Sequence, residues 1–207
     1  MPAPTLATEA FVLLKRPPSE AFQSFTAFSA EHGALIILQR IPKKVATTAV
    51  LDLFDEASLL LESSNQGRTW FVKEARLLAR PSGIGRSYEA LRLAADFTAL
   101  IARNPVHEDS RQPVAALLRT ALAAFATGVH PAVVHFKSVF CFARDEGYPV
   151  KQDWLATLPA ELRAEAEHLL HTPLADLATT TAERPLLKIL THRLSDYLRG
   201  HTEILVD

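Results

Sequence analysis

Residues 9–44, EAFVLLKRPPSEAFQSFTAFSAEHGALIILQRIPKK, decide how the first part of the chain folds. Three apolar runs, Phe11–Leu14, Ala21–Ala30 and Ala34–Leu38, are separated by two short polar breaks. One break is Arg16-Pro17-Pro18-Ser19-Glu20 and the other is Glu31-His32-Gly33. Runs this short, with turn chemistry between them, predict strands of a small antiparallel sheet. Phe22, Phe25 and Phe28 recur every third residue, a spacing that also suits a helix. The strands on either side decide for sheet.

Working outward, Ala49–Glu62 (AVLDLFDEASLLLE) and Thr69–Leu78 (TWFVKEARLL) flank the polar turn SSNQGR at 63–68 and predict a hairpin. The chain then holds five strands by Arg80, the number that builds an OB barrel. Pro81-Ser82-Gly83 marks a change of texture, and from Ser87 onward the apolar period is helical. A first helix is predicted over Ser87–Ala102, with Ser87 as N-cap. The second is the clearest: Val114, Leu117, Leu118, Ala121, Leu122 and Phe125 follow 3- and 4-residue steps between Pro113 and Gly128. Pro131 opens a third, with Val133, Phe136, Phe140 and Ala143 on one stripe, and Pro159 opens a fourth that reaches His171. A short helix follows Pro173, and Arg184–Arg199 forms the last. The expected fold is α+β: an OB-fold domain over residues 1–80, then an all-α bundle over residues 81–207.

Composition sets limits. A hydrophobic content of 48%, with 7 Gly and 13 Pro, describes a soluble, ordered protein. No apolar run is long enough to cross a bilayer, and the N-terminus shows no basic-then-apolar signal pattern, so a cytoplasmic location is expected. The one cysteine, Cys141, excludes an internal disulfide and a cysteine-cluster zinc site. Lying between Phe140 and Phe142, it is expected to be a small core residue with an unreactive thiol. The net charge of −1 carries little attraction for a polyanion. Residues 1–80 hold 9 Lys/Arg against 8 Asp/Glu, so a nucleic-acid surface would require the cations to gather on one face.

In order and texture these blocks resemble the RecO family of bacterial recombination mediators. The matching pieces begin with a strand ending in Lys15-Arg16, a strand running into FSAEHG, and an apolar strand ending in basic residues. They continue with VAALLRTALAAFATGVHPAVVHFKSVFCFARDEGYPV at 114–150 and with the closing segments LPAELRAEAEHLLHTPLADL and LLKILTHRLSDYLRGH. The resemblance implies a non-enzymatic repair protein, cytoplasmic and associated with the nucleoid. Such a protein binds single-stranded DNA through the barrel and docks on the tail of single-strand-binding protein through the helices. It works with a RecR-like partner to load a recombinase and to anneal strands. Many members carry four zinc-binding cysteines after the GY break. Here that region is Lys151-Gln152-Asp153-Trp154, so no metal or other cofactor is expected. Neither a small-molecule substrate nor a membrane partner is expected.

The basic set of the barrel is Lys15, Arg16, Arg40, Lys43, Lys44, Arg68, Lys73, Arg76 and Arg80. As a phosphate track, each cation would release condensed counterions on binding; as ordinary surface, each would be balanced by a neighbouring acid. Lys43 and Lys44 are the strongest of the set, because adjacent charges at a strand end project into a loop. Phe22, Phe25, Phe28 and Trp70 offer faces for unpaired bases, although core packing is the commoner fate of phenylalanine in strands. Trp70, close to Arg68 on the hairpin, is the better stacking candidate.

In the helical part, the resemblance implies a partner surface on the third helix at His135, Phe136, Lys137, Phe140 and Arg144. An apolar pocket rimmed by cations would accept an acidic, aromatic-ended tail. His168 and His171, three residues apart, have a spacing that suits one metal but lack a third ligand, and solvent-facing histidines explain them. The same holds for His130 and His135. There is no G-x-S-x-G elbow, and Gly83-Ile84-Gly85 lacks the rest of a phosphate loop, so no catalytic residues are expected. The alternative to a DNA-binding mediator is a docking module of the same fold that no longer binds DNA.

Overall fold

Five strands form in the first part of the chain and helices follow, in a computed structural model that describes residues 3–41, 49–63, 66–127, 130–177 and 185–206. The strands are β1 (Thr5–Lys15), β2 (Phe22–Ser29), β3 (Gly33–Arg40), β4 (Glu56–Glu62) and β5 (Trp70–Ala79). They close into a barrel in the order β1-β2-β3-β5-β4.

Closure depends on β1, which is longer than its apolar stretch Phe11–Leu14 suggests. Its first half, Thr5 to Phe11, pairs antiparallel with β4, and its second half, Phe11 to Lys15, pairs with β2. An irregularity between Val12 and Leu14 lets one strand serve both neighbours, since a bulge bends its strand and raises the local twist. On the far side β3 runs parallel to β5, with Ile37 opposite Trp70 and Leu38 opposite Phe71.

Alternation explains the three phenylalanines of β2. The β2–β3 register is unbroken from Phe22↔Arg40 to Ser29↔Gly33, so side chains three apart point to opposite faces. Phe25 and Ala27 enter the barrel core with Ala10, Val12, Leu35, Ile37, Leu59 and Leu61. Phe22 and Phe28 point outward; Phe28 is buried there and Phe22 is partly exposed.

Ala49–Asp55, expected as the start of a strand, is irregular. Asp52 and Asp55 explain the difference. The Leu53 amide donates to Asp52 Oδ1 and the Asp52 amide to Asp55 Oδ2, so carboxylates take amides that a ladder would need. Phe54 then turns the chain with φ 71°. Gln39 ties this segment down, donating from Nε2 to Ala49 O and accepting from the Leu51 amide.

The helices are α1 (Tyr88–Arg103), α2 (Arg111–Ala126), α3 (Pro131–Asp145), α4 (Asp153–Ala156), α5 (Ala160–His171), α6 (Leu174–Leu177) and α7 (Pro185–His201). Ser87 caps α1 by accepting the Ala90 amide, as its position before the apolar period predicts. Lys151–Trp154, the region after the GY break, leads into the short α4. Its Trp154 is buried, with its ring 6.0 and 5.9 Å from those of Phe136 and Phe140. Gly83 has a steric reason: a β-carbon there would stand 2.1 Å from the Ala126 carbonyl oxygen.

The chain divides into two units, Met1–Pro81 with Pro105–Ala115, and Ser82–Asn104 with Ala116–Asp207. Pro105–Ala115, assigned to the helical part from sequence, groups with the barrel. Arg111 supplies a reason, since its Nη1 donates to the Glu31 carbonyl (3.2 Å) and its guanidinium lies over Gly33, a turn residue at φ +69°. Among the described residues no helix is long and apolar enough to cross a membrane.

Candidate nucleic-acid interface

The nine cations of the barrel separate into three groups. Lys15, Lys73 and Arg80 are each paired with an acid. Lys15 Nζ meets Asp52 Oδ1 at 2.8 Å and Lys73 Nζ meets Glu62 Oε2 at 2.6 Å. The Lys15 hydrogen bond holds the Asp52 carboxyl below the usual carboxylate range. Arg80 is a structural latch. Its Nε and Nη2 grip both oxygens of the fully buried Asp55 (2.8 and 2.5 Å), and Nη2 also donates to Val50 O. This bidentate pairing raises the Arg80 pKa further. Lys43 and Lys44 lie outside the described residues. Arg16, Arg40, Arg68 and Arg76 are exposed and have no acid partner among the described residues.

Register shows which of these four share a face. The Arg16 amide donates to Ser24 O, extending the β1–β2 ladder by one step. Ser24 pairs with Leu38, and Leu38 with Phe71; one row over, Phe22 pairs with Arg40. All of these alternate with inward residues (Phe25, Ile37, Val72), so they lie on the outer face of β2–β3–β5. Arg16 and Arg40 therefore flank one patch. Arg68 sits in the β4–β5 turn, two residues before β5. Arg76 pairs with Ser58 and Ser58 with Glu9, which places it on the β1–β4–β5 side of the barrel, with Ser58 between it and Glu9.

The aromatic expectation shifts by one residue. Trp70 faces inward, packed against the barrel core, with Gly67 of the turn against its ring. Phe25 and Phe28 are buried. Phe22 and Phe71 instead meet edge to face over β3, with centroids 5.6 Å apart and planes at 66°, and both rings remain partly exposed. Phe71 was not singled out from sequence. Strand parity held the signal: once Trp70 and Val72 face inward, Phe71 must face outward.

In the second unit, α3 turns Phe136, Phe140 and Lys137 toward its own neighbours. Phe136 and Phe140 are buried against Trp154. Lys137 Nζ donates to Leu169 O (2.7 Å) and Thr172 O (2.5 Å), satisfying carbonyls at the C-terminus of α5, and burial lowers its pKa. Arg144 is exposed and paired with its neighbour Asp145 at 2.7 Å. His135 is partly buried rather than fully exposed: burial, opposed by Asp96 and aided by Arg92, lowers its pKa from 6.5 to about 4 and keeps the imidazole neutral. It lines a cavity of about 220 Å³ with Asp96, Leu100, Arg103, Val139 and Ser195. Cys141 is half-buried, and burial raises its thiol pKa. His168 and His171 are exposed, the former near Thr172 Oγ1 and the latter bonded to Glu167 O.

No protein-family model matches this chain, and no curated protein matches it.

Proposed function

We propose that the protein is a RecO-like mediator that binds single-stranded DNA on the outer β2–β3–β5 face of its barrel. The observation that carries this is the placement of Arg16 and Arg40, without acid partners among the described residues, on one face of a closed five-stranded barrel. Strands 2 and 3 and the neighbouring loops of such barrels take oligonucleotides, and binding comes from charge and stacking. The second unit would dock the tail of single-strand-binding protein. Its pocket would be the cavity between α1, α3 and α7, where Leu100 and Val139 supply the apolar lining beside the polar groups of Asp96 and Ser195. With a RecR-like partner the protein would then help a recombinase replace single-strand-binding protein, or anneal strands. Nothing need be made or broken covalently: holding two strands or two proteins together raises their effective concentration.

Fluorescence anisotropy with oligo-dT at rising salt tests this. Log affinity should fall with log salt by about 0.7 for each contacted phosphate, giving a slope of about −1.4 or steeper. The double substitution Arg16→Glu/Arg40→Glu should flatten that slope, as should Lys43→Ala/Lys44→Ala. A second reading, a docking module that has lost DNA binding, is favoured by the acids that neutralise Lys15, Lys73 and Arg80. Absence of binding even at low salt selects it.

A further inference from the structure

We infer that the Phe22–Phe71 pair is a base-stacking platform that makes the barrel face selective for unpaired nucleotides over duplex. This rests on the nucleic-acid reading above. Outward positions on this barrel otherwise hold aromatic rings that are covered: Phe11 and Phe28 both point outward and both are buried. Phe22 and Phe71 are different. They belong to no part of the inner core, remain partly exposed, and meet across β3 with edge against face at 5.6 Å. Two partly exposed rings on a strand surface cost hydration free energy unless something covers them.

The surroundings define what that cover is. Arg40 is the cross-strand partner of Phe22, and Arg16 heads the row Ser24–Leu38–Phe71. Phosphates attracted by these two guanidinium groups would bring their bases over the rings between them. A base in a single strand has a free face to stack on phenylalanine, and the contact is indifferent to sequence. In duplex the faces are already stacked on each other, so only the charge contribution remains. The rings therefore add affinity for one form of nucleic acid and not the other.

The experiment compares oligo-dT, a duplex of equal length and a single-stranded RNA of equal length, each titrated against the full chain. The variants are Phe22→Leu, Phe71→Leu and Phe71→Tyr. Leucine keeps an apolar side chain on the surface and removes the ring; tyrosine keeps the ring. Each leucine variant should lose about tenfold on the single strands, with the salt slope and duplex affinity unchanged, and Phe71→Tyr should retain wild-type affinity. Unchanged single-strand affinity in both leucine variants, with wild-type binding intact, overturns the inference and leaves the barrel's DNA role standing. An equal loss on single strand and duplex also overturns it, because that marks a disturbed surface rather than lost stacking. If the wild-type chain binds no nucleic acid at low salt, the underlying reading fails and this inference fails with it.

Discussion

The outer face of the barrel and helix α3 hold the same kinds of residue, aromatic rings beside basic side chains, and dispose them in opposite ways. On the barrel, Phe22 and Phe71 stay partly exposed and Arg16 and Arg40 keep no acid among the described residues. On α3, Phe136 and Phe140 are buried on Trp154, Lys137 serves the carbonyl end of α5, and Arg144 is held by Asp145. The cause is geometric. A strand sends alternate residues to opposite faces, so a ring between two core residues has to point outward. A helix carries residues four apart to the same face, so Phe136 and Phe140 go inward together. Residue type therefore marks a binding surface only where packing leaves the side chain unused.

The largest test of that contrast compares ring deletions in the two regions. Phe136→Ala should cost about 3–5 kcal/mol in urea unfolding, the usual penalty for emptying a buried aromatic site. Phe22→Ala should cost less than about 1.5 kcal/mol, because part of its ring already faces water. Equal costs would break the distinction between a packed helix face and an unfilled sheet face.

Within the barrel the same logic separates two ion pairs. Arg80→Ala strips the partner from a fully buried carboxylate and should cost about 3 kcal/mol, since an unpaired charge is left inside. Lys15→Ala removes a pair exposed on both sides and should cost less than about 1 kcal/mol. Thermal unfolding of both variants measures the difference, and comparable losses would remove Arg80 from its structural role.

A smaller, pH-dependent effect sharpens the comparison from the helical side. His135 is neutral when folded, with its pKa lowered from 6.5 to about 4, so the unfolded chain binds a proton in that range that the folded chain refuses. Its contribution is fully present above pH 6.5 and is lost as pH falls toward 4, by at most about 3 kcal/mol. Urea midpoints at pH 7.5, 6 and 5 should decline for the wild-type chain and decline less for His135→Gln. Parallel profiles would mean that His135 is solvated in the folded state.

Much of this architecture was legible in the linear chain, because its signals are local. Turn residues between short apolar runs marked the strands from Phe11 to Leu38, and Ser87, Pro113 and Pro131 marked where helices begin. Ala49–Asp55 departs from the strand its apolar texture predicts because two aspartates that bond nearby amides override that texture. Trp70, expected to stay exposed beside the turn, packs on the barrel core while Phe71 takes the outward position, a parity that only the register supplies.

By itself the sequence determined the run of strands, their change to helices and which residue types were available, since propensity, periodicity and turn chemistry act over a few residues. Tertiary structure alone decided which of them were left over. Lys15 and Asp52 are 37 positions apart, Asp55 and Arg80 are 25 apart, and Lys137 reaches carbonyls 32 and 35 residues on. No local pattern encodes those meetings. They follow from closing β1 against both β2 and β4 and from packing α3 on α5, and they leave Arg16, Arg40, Phe22 and Phe71 together on one open face.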